Sequence, residues 1–78
     1  MRGANWDDLR ILLAVARAET MVAAARALGI DESTVARRLS ALEARLGTKL
    51  VARTPTGVAL TSDGAVLAAR LERAEAEI

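Results

Sequence analysis

The 78-residue chain has no cysteine, histidine, tyrosine or phenylalanine, and Trp6 is its one aromatic residue. Without cysteine there is no disulfide framework and no thiolate. Without histidine as well, the usual zinc and haem ligands are missing. No metal site and no cofactor are therefore expected. The carboxylates are scattered over helical surfaces and no Gly-rich phosphate loop is present, so no catalytic residue is expected and an enzyme is the weakest class. No apolar run reaches the roughly 18 residues that a membrane span needs. The first ten residues, MRGANWDDLR, place two acids before any apolar stretch, which argues against a secretory signal. A cytoplasmic protein with no membrane partner is the expectation.

What remains is a single small domain. Hydrophobic residues make up 53% of the chain, much of it alanine, which favours helix but fills little core volume. A chain this short buries only about 60–65% of its unfolded surface, so contacts with a partner are expected to add stability. The net charge of +1 says little about partners, but its distribution says more. Residues 31–57 hold five basic residues, Arg37, Arg38, Arg45, Lys49 and Arg53, against three acids, a balance of +2. Residues 58–78 hold two arginines against four acids, a balance of −2.

The most informative stretch is AARALGIDESTVARRLSALEARL, residues 24–46. Gly29 closes one helix, because only glycine enters the left-handed conformation there without steric cost. Asp31 opens the next, with a carboxylate placed to accept from the free N–H groups that follow. So short a separation forces two helices to meet at a sharp angle, the helix-turn-helix pattern. Ala25 lets the helices approach, and Ile30 and Val35 fill the corner. At about 100° per residue, Val35, Leu39, Leu42 and Leu46 fall within about 60° of one another. Ser33, Arg37, Ser40 and Ala44 fall opposite, with Arg38 at the flank. That exposed edge suits a DNA major groove: arginine binds guanine O6 and N7 bidentately, or clamps a phosphate.

The flanks complete a fold. Residues 5–18 read as the first helix, with Asn5 as N-cap, Asp7 and Asp8 in its first turn, an apolar stripe from Leu9 to Ala16, and Trp6 stapling its start to the core. Thr20 caps a second helix over residues 21–28, whose free N–H groups also suit a phosphate. The third runs from Glu32 to Arg45. From Thr48 the period changes to a strand over 50–53, a Thr54-Pro55-Thr56-Gly57 turn and a return strand over 58–60. This two-stranded wing must pack on the helices through Leu50 and Leu60, with Lys49 and Arg53 as phosphate candidates. Thr61 caps a last helix in which Gly64, Leu67, Leu71, Ala74 and Ile78 recur at coiled-coil spacing. That stripe reads as a dimer seam. It runs off the end at Ile78 without a Gly or Pro stop, so the chain reads as part of a longer protein. The expected division is a winged helix-turn-helix over residues 1–61 and a linker and dimerisation helix over 62–78.

Three segments at this order and spacing resemble the N-terminal DNA-binding domain of LysR-type transcriptional regulators: DLRILLAVARAETMVAAARALGID at 8–31, STVARRLSALEARLGTKLVAR at 33–53, and TGVALTSDG at 56–64. The resemblance implies a mainly α winged helix-turn-helix that pairs through its final helix. It implies binding of double-stranded DNA at an inverted-repeat operator, with one recognition helix in each of two major grooves. It also implies a homodimer that assembles further to a tetramer in the intact protein, and a small-molecule effector bound by a separate C-terminal domain. Thr20, Glu32, Ser33, Ala36, Arg37 and Arg53 stand where that family touches DNA. The family commonly has Gln-Pro in place of Glu32-Ser33 and serine in place of Ala36. Glutamine can pair with adenine; glutamate accepts only, so Glu32 either reads a cytosine amino group or is repelled by phosphates, which leaves the bases read open. Met21 and Val51 replace family phenylalanines, which implies a looser core. A helical dimerisation module with little DNA affinity is the competing reading, favoured by the near-zero net charge and by Glu32.

Overall fold

A computed structural model describes residues 6–76, in which four helices enclose one core and a two-stranded antiparallel sheet projects from it. The helices are α1 (Trp6–Ala18), α2 (Met21–Leu28), α3 (Glu32–Leu46) and α4 (Ser62–Ala76); the strands are β1 (Val51–Thr54) and β2 (Gly57–Leu60). None of these helices is long and apolar enough to cross a membrane. The mainly α winged helix-turn-helix read from the sequence is the fold observed.

Local chemistry sets most of the boundaries. Glu19 ends α1 with a left-handed φ of 65°, its N–H bonded to Val15 O. Thr20 Oγ1 accepts from Ala23 N–H at 3.0 Å and caps α2. Gly29, at φ 71°, closes α2, and Ile30 N–H bonds back to Ala25 O. Asp31 opens α3 differently from expectation. Its carboxylate takes no backbone N–H; Oδ2 accepts instead from the hydroxyls of Thr34 at 3.0 Å and Ser33 at 3.3 Å. Two neighbouring hydroxyls reach the carboxylate more easily than the helix amides do. The α3 helix runs one residue beyond the expected end before Gly47 stops it. The expected Asn5 cap lies outside the described residues.

The core joins Leu9, Leu12, Leu13 and Val15 of α1 to Ala24 and Ala25 of α2, Val35, Leu39 and Leu42 of α3, and Leu50 and Val58 of the wing. Met21 belongs to this cluster and Val51 packs at its edge. Trp6 does not staple the helix start to the core: it stays 40% exposed, while Leu9 and Leu12 are buried.

The wing is a tight hairpin, paired Val51 to Leu60 through Thr54 to Gly57, so that Pro55-Thr56 alone forms the turn. Leu50 precedes β1 as a buried anchor. The outer edge of β2 is not free, since Val58 N–H donates to Glu19 O at 3.1 Å. This contact ties the wing to the α1–α2 turn. A Cβ at Gly57, at φ 154°, would crowd the same carbonyl.

The helix α4 starts at Thr61, whose Oγ1 accepts from Gly64 N–H at 3.0 Å and donates to Lys49 O at 2.6 Å. Its apolar stripe is not a free seam. Leu71 is 5% exposed within the single chain and Gly64 and Ala68 are buried, because α4 folds back on α1 and the wing. Of the expected dimer residues, Leu67 is half-buried at the edge of this packing and Ala74 is exposed. Ile78 lies outside the described residues. Arg17 fastens the far end of α4, donating to Glu72 Oε1 and Oε2 at 3.0 and 2.9 Å and to Glu75 at 2.7 Å. These bonds raise the Arg17 pKa and lower that of Glu72.

Gly64 is needed for close approach, since a Cβ there would collide with the Leu50 carbonyl. The backbone on both sides is fixed by hydrogen bonds, so relief requires shifting α4 from the wing. Gly64→Ala is expected to lower unfolding stability by about 2 kcal/mol or more. For a domain of this size that is a fall in melting temperature of about 8 °C or more. Thermal unfolding followed by circular dichroism checks this, and an unchanged midpoint would show that the approach is not tight.

Candidate nucleic-acid interface

The outward edge of α3 is open to solvent. Glu32, Ser33, Arg37 and Ser40 are exposed along it, and Ala36 is half-buried on the side facing the wing. Two polar contacts on opposite flanks of the helix place this edge outward.

The first involves Asp8, buried in α1 at 8% exposure. Its Oδ1 accepts from Arg38 Nη2 at 3.1 Å and its Oδ2 from Arg45 Nη1 at 2.8 Å. Arg38 and Arg45 are seven residues apart, two turns of helix, and so share one flank of α3. Arg38 was expected to reach DNA; the structure turns its guanidinium onto α1 instead. The reason is its angle: about 60° from the buried ladder, it stands over Asp8 rather than on the outward edge.

The second contact involves Glu43, also 8% exposed, on the other flank. Its Oε2 accepts from Leu50 N–H at 2.7 Å and from Val51 N–H at 3.2 Å. Its Oε1 lies 3.8 Å from Lys49 Nζ. The carboxylate therefore joins α3 to the first residues of the wing. A shallow groove results, lined on the helix side by Ala36 and Ser40 and on the wing side by Lys49, Val51 and Arg53. Of the residues singled out in sequence, the structure brings Ala36 and Arg53 to one groove. It leaves Glu32, Ser33 and Arg37 on the adjoining helix edge. Thr20 lies where α2 begins, at the foot of the wing, with its hydroxyl committed to capping and its methyl against Gly57.

Asp8 and Glu43 were not singled out as site residues in sequence. The signal was present in part: Glu43 sits among Leu39, Leu42 and Leu46, where a charge needs a buried partner. Among the described residues no buried side-chain nitrogen or oxygen lacks a hydrogen-bond partner. No group of three or more histidine, cysteine or acidic side chains could hold a metal ion there.

A family model described as the bacterial regulatory helix-turn-helix protein, lysR family, matches residues 6–65. The chain belongs to this family. Its members are transcriptional regulators, a family of DNA-binding proteins and not of enzymes. A probable hydrogen peroxide-inducible genes activator of Mycobacterium avium is 49% identical over 59 residues, covering 76% of this chain and 19% of that protein. An HTH-type transcriptional regulator of Xanthomonas campestris is 37% identical over 81 residues, covering 95% and 24%. The chain thus spans about a fifth to a quarter of these curated relatives. Among solved structures, the DNA-binding domain of CbnR in complex with DNA superposes with a TM-score of 0.84 at 34% identity, covering 90% of this chain and 80% of that one. The BenM domain bound to benA site 1 DNA, with a TM-score of 0.88 at 24% identity, shares the fold.

If Asp8 holds α3 by its two arginines, Asp8→Asn should destabilise the LysR-family domain. Both arginines are partly solvated, which moderates the cost to about 1–2 kcal/mol. A urea midpoint lowered with an unchanged slope is the expected result. An unchanged midpoint would show the ion pairs to be incidental.

Proposed function

We propose that this domain binds double-stranded DNA as the sequence-reading part of a cytoplasmic transcription regulator. The observation that carries the reading is α3 itself. A rigid helix presents an outward edge of Glu32, Ser33, Arg37 and Ser40, braced on both flanks, beside a wing that bears Lys49 and Arg53. Such an edge fits the width of the B-DNA major groove. Arg37 reads a guanine or clamps its flanking phosphate. Ser33 and Ala36 contact the same groove, and Glu32, an acceptor only, takes a cytosine amino group. Arg53 and Lys49 hold the backbone alongside, and the first turn of α2 at Thr20 meets a phosphate. Arg38 serves the interface by positioning α3 rather than by touching DNA.

Pairing of two copies presents two such edges to an inverted repeat. With Leu71 committed to its own domain, the pairing surface is the edge of the α4 stripe that carries half-buried Leu67 and exposed Ala74; Ile78, also expected to take part, lies outside the described residues. In the intact regulator, further assembly to a tetramer and effector binding belong to regions outside this chain. Selection of bound sequences from a random duplex pool tests the whole reading; enriched sites with two-fold symmetry support it, and no enrichment defeats it.

On a selected site, Arg37→Ala should weaken binding by about 1–3 kcal/mol and relax the preference at one base position. Arg53→Ala should weaken binding evenly across sequences and reduce the slope of log affinity against log salt by about one. Gel shifts over a salt series measure both. Equal affinity of the parent and Arg37→Ala on the selected site would remove Arg37 from the interface.

A further inference from the structure

We infer that Glu43 is a positioning residue for DNA binding: it couples the wing to the reading helix, so that Arg53 and Arg37 engage one duplex as a rigid unit. The inference rests on the DNA-binding reading above and extends it to a residue that touches no DNA.

The geometry points this way for three reasons. First, a hairpin of two four-residue strands is marginal by itself, so its direction depends on what holds its base. Second, on the α3 side that base is held by Glu43 Oε2, which accepts the N–H groups of both Leu50 and Val51. Two N–H donors on one ionised oxygen make a charge-assisted, directional clamp. Apolar packing through Leu50 and Val58 holds the wing down but does not set its angle to α3 as sharply, because such contacts are non-directional. Third, the carboxylate is buried, and the groove it closes has Ala36 and Ser40 on one wall and Arg53 on the other. Among the contacts between α3 and the wing, this side chain supplies the directional one that sets the lateral offset of Arg53 from the α3 edge. The hydrogen bond from Val58 N–H to Glu19 O joins the wing to the α1–α2 turn rather than to α3.

Glu43→Gln keeps the length, the volume and one acceptor oxygen but removes the charge, so its bonds to the Leu50 and Val51 N–H groups are no longer charge-assisted and are weaker. It is expected to keep the helical circular dichroism of the parent and to speed hydrogen exchange at Leu50, Val51 and the β1–β2 amides, while the amides of α1 and α3 stay protected. Binding is measured on a random-sequence 30-base-pair duplex over a salt series, for the parent and the Arg53→Ala, Glu43→Gln and double variants of the full chain. The parent is expected to bind with a steep slope, and Arg53→Ala to lose about one unit of it. Glu43→Gln should lose the same unit, and adding Arg53→Ala to Glu43→Gln should cost nothing more. Arg37→Ala should keep its full effect in the Glu43→Gln background.

That selective non-additivity is something a merely structural role would not produce, because general destabilisation weakens every contact alike. Glu43→Asp, which keeps the charge but is too short to reach Leu50 N–H, repeats the test if the glutamine variant unfolds, and should give the same pattern. Independent, additive losses for Glu43 and Arg53 overturn the inference while leaving DNA binding intact. So does an Arg53→Ala slope equal to the parent's, since no wing contact would then exist to couple. A parent that shows no salt-dependent binding overturns the DNA reading itself.

Discussion

A helix held to a core by leucines alone has no sharply defined rotation. Val35, Leu39, Leu42 and Leu46 fix which side of α3 faces inward, but a turn of some tens of degrees changes their contacts little compared with the same turn at a hydrogen bond. The two buried carboxylates remove that freedom. Asp8 draws Arg38 and Arg45 toward α1 on one flank, and Glu43 holds the start of the wing on the other. A rotation that relaxes one contact stretches the other. Burying these charges costs free energy, and their hydrogen bonds offset it without a large net gain. Their effect is on orientation: they decide that the edge bearing Ser33 and Arg37 points outward.

The wing inherits this orientation. It meets Glu43 at its base and Glu19 O at its outer edge, and Thr61 closes its exit by bonding Lys49 O while capping α4. The same few residues that end the hairpin therefore start the last helix, and the close approach at Gly64 presses the two together. Helix, wing and α4 are mechanically one piece, joined by these hydrogen bonds and by the core they share through Leu50, Val58 and Leu71. A core of alanines and medium-sized aliphatics would not by itself hold so many short elements in fixed relation.

What was legible in the sequence is what local chemistry decides. The Gly29–Asp31 corner, the Thr20 and Thr61 caps and the Pro55 turn depend on residues within four positions of one another, and each appears where it was read. What was not legible depends on distant partners. Asp8 looked like a first-turn acid favoured by the helix dipole; its partners lie 30 and 37 residues away. Glu43 bonds amides seven and eight residues on, across the end of α3, beyond the reach of helix periodicity. The stripe on α4 was correctly apolar, but periodicity reveals a face without saying what covers it. The helix α4 packs on α1 of its own chain, and Leu71 lies inward.

The net charge of +1 was the chief objection to a nucleic-acid partner, and the structure explains why it misleads. Five of the ten acids have internal tasks. Asp8 neutralises two arginines, Glu43 serves the wing amides, Glu72 and Glu75 hold Arg17, and Asp63 accepts from Thr48. A carboxylate that faces an internal partner, behind α3 or at the far end of α4, contributes little to the potential in front of the helix, because solvent and salt screen it within about 8–10 Å. The field at the proposed DNA face is set by the charges that stand on it: Arg37, Arg53 and Lys49 against Asp31 and Glu32. That face is basic toward the wing and acidic at the tip of α3. The wing is therefore suited to the phosphate backbone and the tip to base edges that offer donors. A nearly neutral chain can thus carry a surface whose two ends are sorted for two different parts of the same duplex.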